Sequence, residues 1–175
     1  LLGKRFPKVD LPYALDQIRG RQSARTKLPA WANTEGIVYP PHLNMEQCSS
    51  EQTALYKQEI AVRLLKEFPA ESEPTFADLT GGFGVDFSYM SKPFKKALYV
   101  ERNEQLCNIV TQNFKCLGLN NISTKNGNSI EVLHQLDSVS VLFLDPARRN
   151  SSGGKVVSMA DCEPNVLELC DEMVE

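Results

Sequence analysis

Asp78-Leu79-Thr80-Gly81-Gly82-Phe83-Gly84-Val85-Asp86 is the stretch that decides the fold. It closes a short strand pattern, Thr75 to Leu79, and opens a helical one, Val85 to Ser91. Glycines at three of four positions let the backbone turn tightly and come close to a ligand. The helix N-terminus beyond them offers free N–H donors. Strand and helix patterns alternate downstream. Ala97 to Glu101 reads as a second strand. Asn103 is placed to cap a helix whose Leu106, Val110, Phe114 and Leu117 share a face, with Gly118 as its C′ residue. Ile122 to Asn126 is a weak third strand and Ser129 to Leu136 a short helix. Val139 to Leu144 is a continuous apolar strand of the kind buried on both faces. Pro164 to Glu175 is a helix with Val166, Leu169, Cys170 and Met173 apolar. Such units imply an α/β fold, a Rossmann-like doubly wound parallel sheet.

Upstream, a helix begins at Ser49 or Ser50, where Ser49 and Gln52 have capping-box spacing. Ala54, Ala61, Leu65 and Phe68 recur at helical spacing, and Pro69 closes the segment. Lys27 to Cys48 carries Pro29, Pro40 and Pro41 beside Trp31 and Tyr39, and reads as an ordered, largely non-helical connection. The expected division is a basic N-terminal extension, residues 1–48, that contacts substrate, and residues 49–175 as the body of the sheet domain.

The 175 residues are 42% hydrophobic and 23% charged, which is globular composition. A net charge of -3 excludes a strongly basic nucleic-acid coat but hides an asymmetry. Lys4, Arg5, Lys8, Arg19, Arg21, Arg25 and Lys27 face only Asp10 and Asp16 in the first 27 residues, whereas residues 156–175 hold six acids and no base. The longest apolar runs are about six residues, far below the ~20 a spanning helix needs. Five scattered cysteines, with no C-x-x-C pair, suit reduced thiols in a cytosolic protein. No metal site is expected, and His42 and His134 read as surface or packing residues. The missing initiator Met and the stop inside a helical pattern point to a piece of a longer protein, its sheet cut after the fourth strand.

Three ligands compete for the glycine turn. A nicotinamide or flavin site wants G-x-G-x-x-G, but Phe87 stands at the last glycine. A phosphate loop wants G-K-[ST], and no Lys follows. An S-adenosylmethionine site wants an acid, three residues and G-x-G, which Asp78, Gly82 and Gly84 supply. Glu101 closes the next strand, where a carboxylate can accept both ribose hydroxyls. Asn126-Gly127-Asn128-Ser129 follows the third strand and Leu144-Asp145-Pro146-Ala147-Arg148-Arg149 the fourth.

On these residues the chain, over about 49 to 175, resembles the class I S-adenosylmethionine-dependent methyltransferases. Asp78, Thr80, Gly82, Gly84 and Asp86, with Glu101-Arg102-Asn103 and Leu144-Asp145-Pro146, are similar to the small-subunit ribosomal RNA guanine-N2 methyltransferases. Cys48 to Lys57 and Asp145 to Arg149 resemble bacterial methyltransferases that carry a THUMP-like domain further along. The resemblance implies S-adenosyl-L-methionine held by Asp78, Thr80, Gly82, Phe83, Gly84, Glu101, Arg102, Asn128 and Ser129. It implies Asp145 and the Pro146 carbonyl as the catalytic pair at the acceptor, and Arg148 and Arg149 as substrate-binding residues, with RNA (ribosomal or transfer) as partner in the cytoplasm. Three positions depart from the pattern: Asn128 replaces an Asp, Ala147 a second proline, and Arg148 the aromatic that stacks on a flipped base. Trp31, Tyr39 and Phe83 are candidates to stack instead, although Trp31 reads first as a packing anchor. Two alternatives remain: a non-catalytic RNA-binding protein on this scaffold, and a methyltransferase for a protein or small molecule.

Overall fold

A computed structural model describes residues 8–67, 73–146 and 158–174. Its centre is a parallel sheet of β1 (Thr75–Asp78), β2 (Lys96–Glu101), β3 (Ile122–Asn126) and β4 (Val141–Phe143), in the order β3-β2-β1-β4. This is the order of one half of a doubly wound sheet, whose carboxyl ends share one rim. Helices α1 (Leu11–Lys27), α2 (Pro29–Asn33), α3 (His42–Gln47) and α4 (Glu51–Leu65) precede β1. Helix α5 (Val85–Met90) follows β1, α6 (Glu104–Cys116) joins β2 to β3, and α7 (Ser129–Leu133) precedes β4. A short 3₁₀ turn, Met159–Asp161, leads into α8 (Val166–Val174).

Alternation along the strands divides the core into two layers. On one face Phe76, Tyr99 and Val141 pack with Phe87 of α5 and Val110 and Phe114 of α6. Phe87, Tyr99 and Phe114 meet mutually, with ring centroids 5.1 to 5.5 Å apart. On the other face Ala77, Leu79 and Val100 pack with Val132 and Leu133 of α7 and Leu169 of α8. β4 is shorter than the apolar run around it. It pairs with β1 alone among the described residues, and its Leu142 and Phe143 are half-buried, one toward each layer.

The described residues from 8 to 48 share the first layer: Ala24, Leu28, Trp31, Tyr39 and Met45 belong to the same buried cluster as Phe76 and Phe87. Two side-chain amides stitch them down. Gln17 accepts from the Tyr39 N–H and donates to its carbonyl, both at 2.8 Å. Asn113, fully buried on α6, does the same for Val38, also at 2.8 Å. Backbone groups outside any ladder are thus paired, which is what allows this segment to be buried. Where the prolines suggested a non-helical connection, the segment holds two short helices, α2 and α3. Pro29 stands at the first turn of α2, where its fixed φ suits a helix and its missing N–H costs nothing.

The cap of α4 also differs from the Ser49–Gln52 reading. Ser50 is the N-cap, and its Oγ accepts from the Thr53 N–H at 3.2 Å. Ser49 points elsewhere, to Asp86. Asn103 caps α6 as expected, and Gly118 takes φ 71° at the other end. Phe68 and Pro69 lie outside the described residues.

Candidate active site

The rim at the carboxyl ends of β1, β2 and β4 gathers the chemistry. After Asp78 the chain turns within four residues, closed by Gly84 N–H donating to the Gly81 carbonyl at 2.8 Å. Each glycine has its own reason. A Cβ on Gly81 would lie 2.0 Å from the Tyr99 ring, and one on Gly84, at φ 74°, would lie 2.7 Å from Phe114 and Val110. Gly82, at φ 53°, meets nothing nearer than 3.8 Å. Two glycines therefore seat the turn on the core, and the third faces open space. Burial pushes the Tyr99 hydroxyl well above its ordinary range, so it stays protonated and donates to the Gly82 carbonyl.

Asp78 is 1% exposed. Burial pushes its carboxyl up to about 7, with help from the charges of Asp86 and Asp145. The Thr80 N–H and the Lys57 charge pull the other way. Asp78 Oδ1 accepts from the Thr80 N–H at 2.9 Å, and the Thr80 hydroxyl approaches the same oxygen at 3.5 Å. Thr80 Oγ1 in turn accepts from the Asp145 N–H at 2.7 Å. One hydroxyl thereby ties the acceptor-side loop to the glycine turn.

Glu101 is engaged at both oxygens, by the Gly82 N–H at 3.0 Å and the Asn103 N–H at 2.7 Å. Each oxygen keeps a further lone pair for a ligand hydroxyl. Asn128 caps α7: its Oδ1 accepts from Ile130 N–H at 2.9 Å and Glu131 N–H at 3.4 Å. Its amide oxygen is thereby engaged at the helix N-terminus. Ser129 opens the same helix, half-buried. Arg102 is exposed and pairs with Glu163 at 2.6 Å, bridging the end of β2 to the approach to α8.

Phe83 differs from its expected role. Its ring is buried at 3% exposure against Trp31, with centroids 4.9 Å apart. Trp31 and Tyr39 are equally buried, so none of the three presents a face for stacking. Asp145 is open, its side chain 61% exposed, and Pro146 is half-buried beside it. Ala147, Arg148 and Arg149 lie outside the described residues.

Two side chains join the rim that sequence reading left unassigned. Lys57 of α4 places its ammonium 2.7 Å from Asp86 Oδ2, 3.3 Å from Ser49 Oγ and 4.0 Å from Asp145 Oδ2. Asp86 also accepts from the Ser49 hydroxyl at 2.9 Å, and its Oδ1 is buried without a hydrogen-bond partner. Elsewhere, a concavity of about 680 Å³ lies at the opposite end of the strands, lined in part by Thr75, Lys96, Asn121, Lys125 and Val139. Asp137 is the one carboxylate that lines it, whereas open α/β sheets bind ligands at the carboxyl rim. Among the described residues no group of His, Cys, Asp and Glu could hold a metal, and no helix is long and apolar enough to cross a membrane.

Comparison with solved structures agrees with this geometry. A protein of Porphyromonas gingivalis W83, provisionally named a methyltransferase, superposes with TM-score 0.74 at 28% identity, over 93% of this chain and 38% of that one. The fold is that of the S-adenosylmethionine-dependent methyltransferases. One such enzyme from Agrobacterium tumefaciens gives TM-score 0.52 at 17% identity, covering 70% of this chain and 40% of that one. A protein of Klebsiella pneumoniae, provisionally named an O-methyltransferase, gives 0.54 at 13% identity, covering 99% and 63%. The chain thus spans about two fifths of the first two. No family model matches the sequence, and no curated protein does.

The rim suits the cofactor these relatives imply. Gly82 leaves room where a Cβ would intrude, Glu101 keeps lone pairs, and four carboxylates (Asp78, Asp86, Glu101, Asp145) outnumber the one ammonium of Lys57. That charge surplus fits a ligand carrying a sulfonium and an ammonium.

Proposed function

We propose that this chain is the cofactor-binding part of an S-adenosylmethionine-dependent methyltransferase that modifies an exocyclic amine of an RNA base, guanine N2 foremost. The observation that carries the reading is the Thr80 joint. It joins the Asp145 backbone to the glycine turn, which supports reading the two loops as one site.

S-adenosylmethionine, when bound, supplies a methyl group already activated on sulfur. The protein's part is placement. Asp78 faces the cationic methionine end, and Glu101 accepts from the ribose hydroxyls. Asn128 and Ser129 flank the adenine. Asp145 and the Pro146 carbonyl accept the two amine N–H groups, which turns the nitrogen lone pair toward the methyl. Asp145 would take up the proton that the amine gives up on methylation. Acid–base help of this kind contributes about 10²–10⁴-fold. Arg148 and Arg149, with the exposed Arg19, Arg21 and Arg25 of α1, would neutralise RNA phosphates. A THUMP-like domain further along the full-length protein belongs to the same proposal, as does a cytoplasmic location.

Calorimetry on the full-length protein with S-adenosylhomocysteine tests the cofactor part: saturable one-to-one binding is expected, and none up to millimolar ligand refutes it. Salt-dependent RNA binding without methyl incorporation would instead move the protein to the non-catalytic class.

A further inference from the structure

The cluster around Lys57 extends beyond what cofactor binding requires. Its ammonium is held from three directions: Asp86 at the start of α5, Ser49 ahead of α4, and the ring of Phe143 at the end of β4, whose centroid lies 5.1 Å away. An ammonium has three N–H groups. Asp86 takes one and Ser49 another. The third has no partner at hydrogen-bond distance among the described residues, and Asp145 Oδ2 stands 4.0 Å off. The Asp145 backbone is held by its N–H bond to Thr80 Oγ1, while its carboxylate stands exposed beside the ammonium.

A held donor and an open acceptor on an anchored backbone thus stand side by side at the mouth of the site. Their complement is an acceptor–donor edge, an amino group next to an unprotonated ring nitrogen. Amino-bearing nucleobases have this edge: guanine at N2 and N3, adenine at N6 and N1, cytosine at N4 and N3. A hydroxyl, a carboxylate or a ring carbon lacks it.

We propose that Lys57 is a specificity-determining residue of the acceptor site, donating to the ring nitrogen beside the amine that Asp145 holds. This rests on the methyltransferase reading above and deepens it. Asp86 and Ser49 are positioning residues for the ammonium, and they keep Lys57 from collapsing onto Asp145. Losing one arm of a bidentate base contact is typically worth about 10- to 100-fold in discrimination.

The test uses the full-length protein, its Lys57→Met and Lys57→Arg variants, labelled S-adenosylmethionine, and an unmodified small-subunit ribosomal RNA transcript, with nucleoside mass spectrometry to locate the methyl. Lys57→Met should bind S-adenosylhomocysteine within about threefold of wild type while kcat/KM falls about 10- to 100-fold, mainly through KM. Lys57→Arg, which keeps a donor, should recover part of the loss. The label should sit on an exocyclic amine. The inference is overturned if Lys57→Met lowers only the melting temperature and leaves kcat/KM intact, or if the methyl lies on oxygen or a ring carbon. It is overturned too if a wild type that binds S-adenosylhomocysteine labels no RNA. A wild type that binds no S-adenosylhomocysteine overturns the cofactor reading itself, and this inference with it.

Discussion

Replacing Asp78 with Asn should stabilise the ligand-free protein at alkaline pH and not at acid pH. The carboxyl is 1% exposed and pushed up to about 7, from 3.8 in the free residue. Below pH 3.8 both folded and unfolded chains hold the proton, and the site carries no penalty. Between 3.8 and about 7 the unfolded chain releases the proton while the folded one keeps it, so stability falls as pH rises. Above about 7 both are ionised and the penalty is constant. Roughly 3 units at 1.36 kcal/mol each set an upper limit of about 4 kcal/mol. Asn keeps the oxygen that accepts from the Thr80 N–H but brings two N–H groups without a ready partner, a cost of about 1–3 kcal/mol. The net gain at pH 8 is about 1–3 kcal/mol, or roughly 2–10 °C in melting temperature for a chain of this size. Thermal melts of wild type and Asp78→Asn at pH 4.5 and pH 8, without ligand, measure it. S-adenosylhomocysteine affinity should fall at least tenfold in the same variant. A melting difference that is equal at the two pH values, or a variant less stable than wild type at pH 8, would refute the reasoning.

Three further outcomes follow from the same rim and its support. Gly81→Ala should destabilise by about 1–3 kcal/mol or prevent folding, because its Cβ falls 2.0 Å from the Tyr99 ring. Gly82→Ala, with nothing nearer than 3.8 Å, should cost only the ~1–2 kcal/mol of a left-handed alanine yet weaken S-adenosylhomocysteine binding. Urea titrations and calorimetry on the pair separate the two roles, and equal stability loss in both would contradict them. Thr80→Val removes the acceptor of the Asp145 N–H and should lower kcat more than tenfold, a larger loss than in S-adenosylhomocysteine affinity. Asn113→Ala strips two hydrogen bonds from the half-buried Val38 backbone and should cost about 2–4 kcal/mol by urea unfolding.

The sheet was legible because its signals are local. An apolar run, a cap and a glycine lie within one or two turns of chain, and the side-chain period is read directly. Asn103 and Gly118 marked both ends of α6 in this way. The segment from Lys27 to Cys48 was misread for the converse reason. Its conformation is set by Gln17 and Asn113, the latter 75 residues from Val38, and no spacing rule spans that distance. Ser49 shows the same limit. Its hydroxyl satisfies two local templates, cap and capping box, but a carboxylate 37 residues away takes it. Within the site, Asp78, Gly82, Glu101 and Asp145 were visible because each ends a strand or fills a turn. Lys57 was not, since on α4 it is one polar residue among several, and only packing of α4 against α5 brings it to Asp86.

The placement of these charges bears on which form of the proposed cofactor the rim prefers. Parallel strands bring their carboxyl ends together whatever residues stand there, so Asp78, Glu101 and Asp145 meet through topology and not through mutual attraction. Burial first, and then the charges of Asp86 and Asp145, raise the carboxyl of Asp78, and Lys57 offsets only part of it. A ligand with two positive charges relieves more of the repulsion than one with a single charge. Methyl transfer neutralises the sulfonium and leaves the ammonium. The carboxylate surplus should therefore hold S-adenosylmethionine more tightly than S-adenosylhomocysteine, and adding salt should narrow the difference. The gap should also widen as pH rises through about 7, where Asp78 gains its charge. Calorimetry with the two ligands at pH 6 and pH 8 measures it, and a ratio of affinities that does not change with pH would assign the discrimination to shape instead.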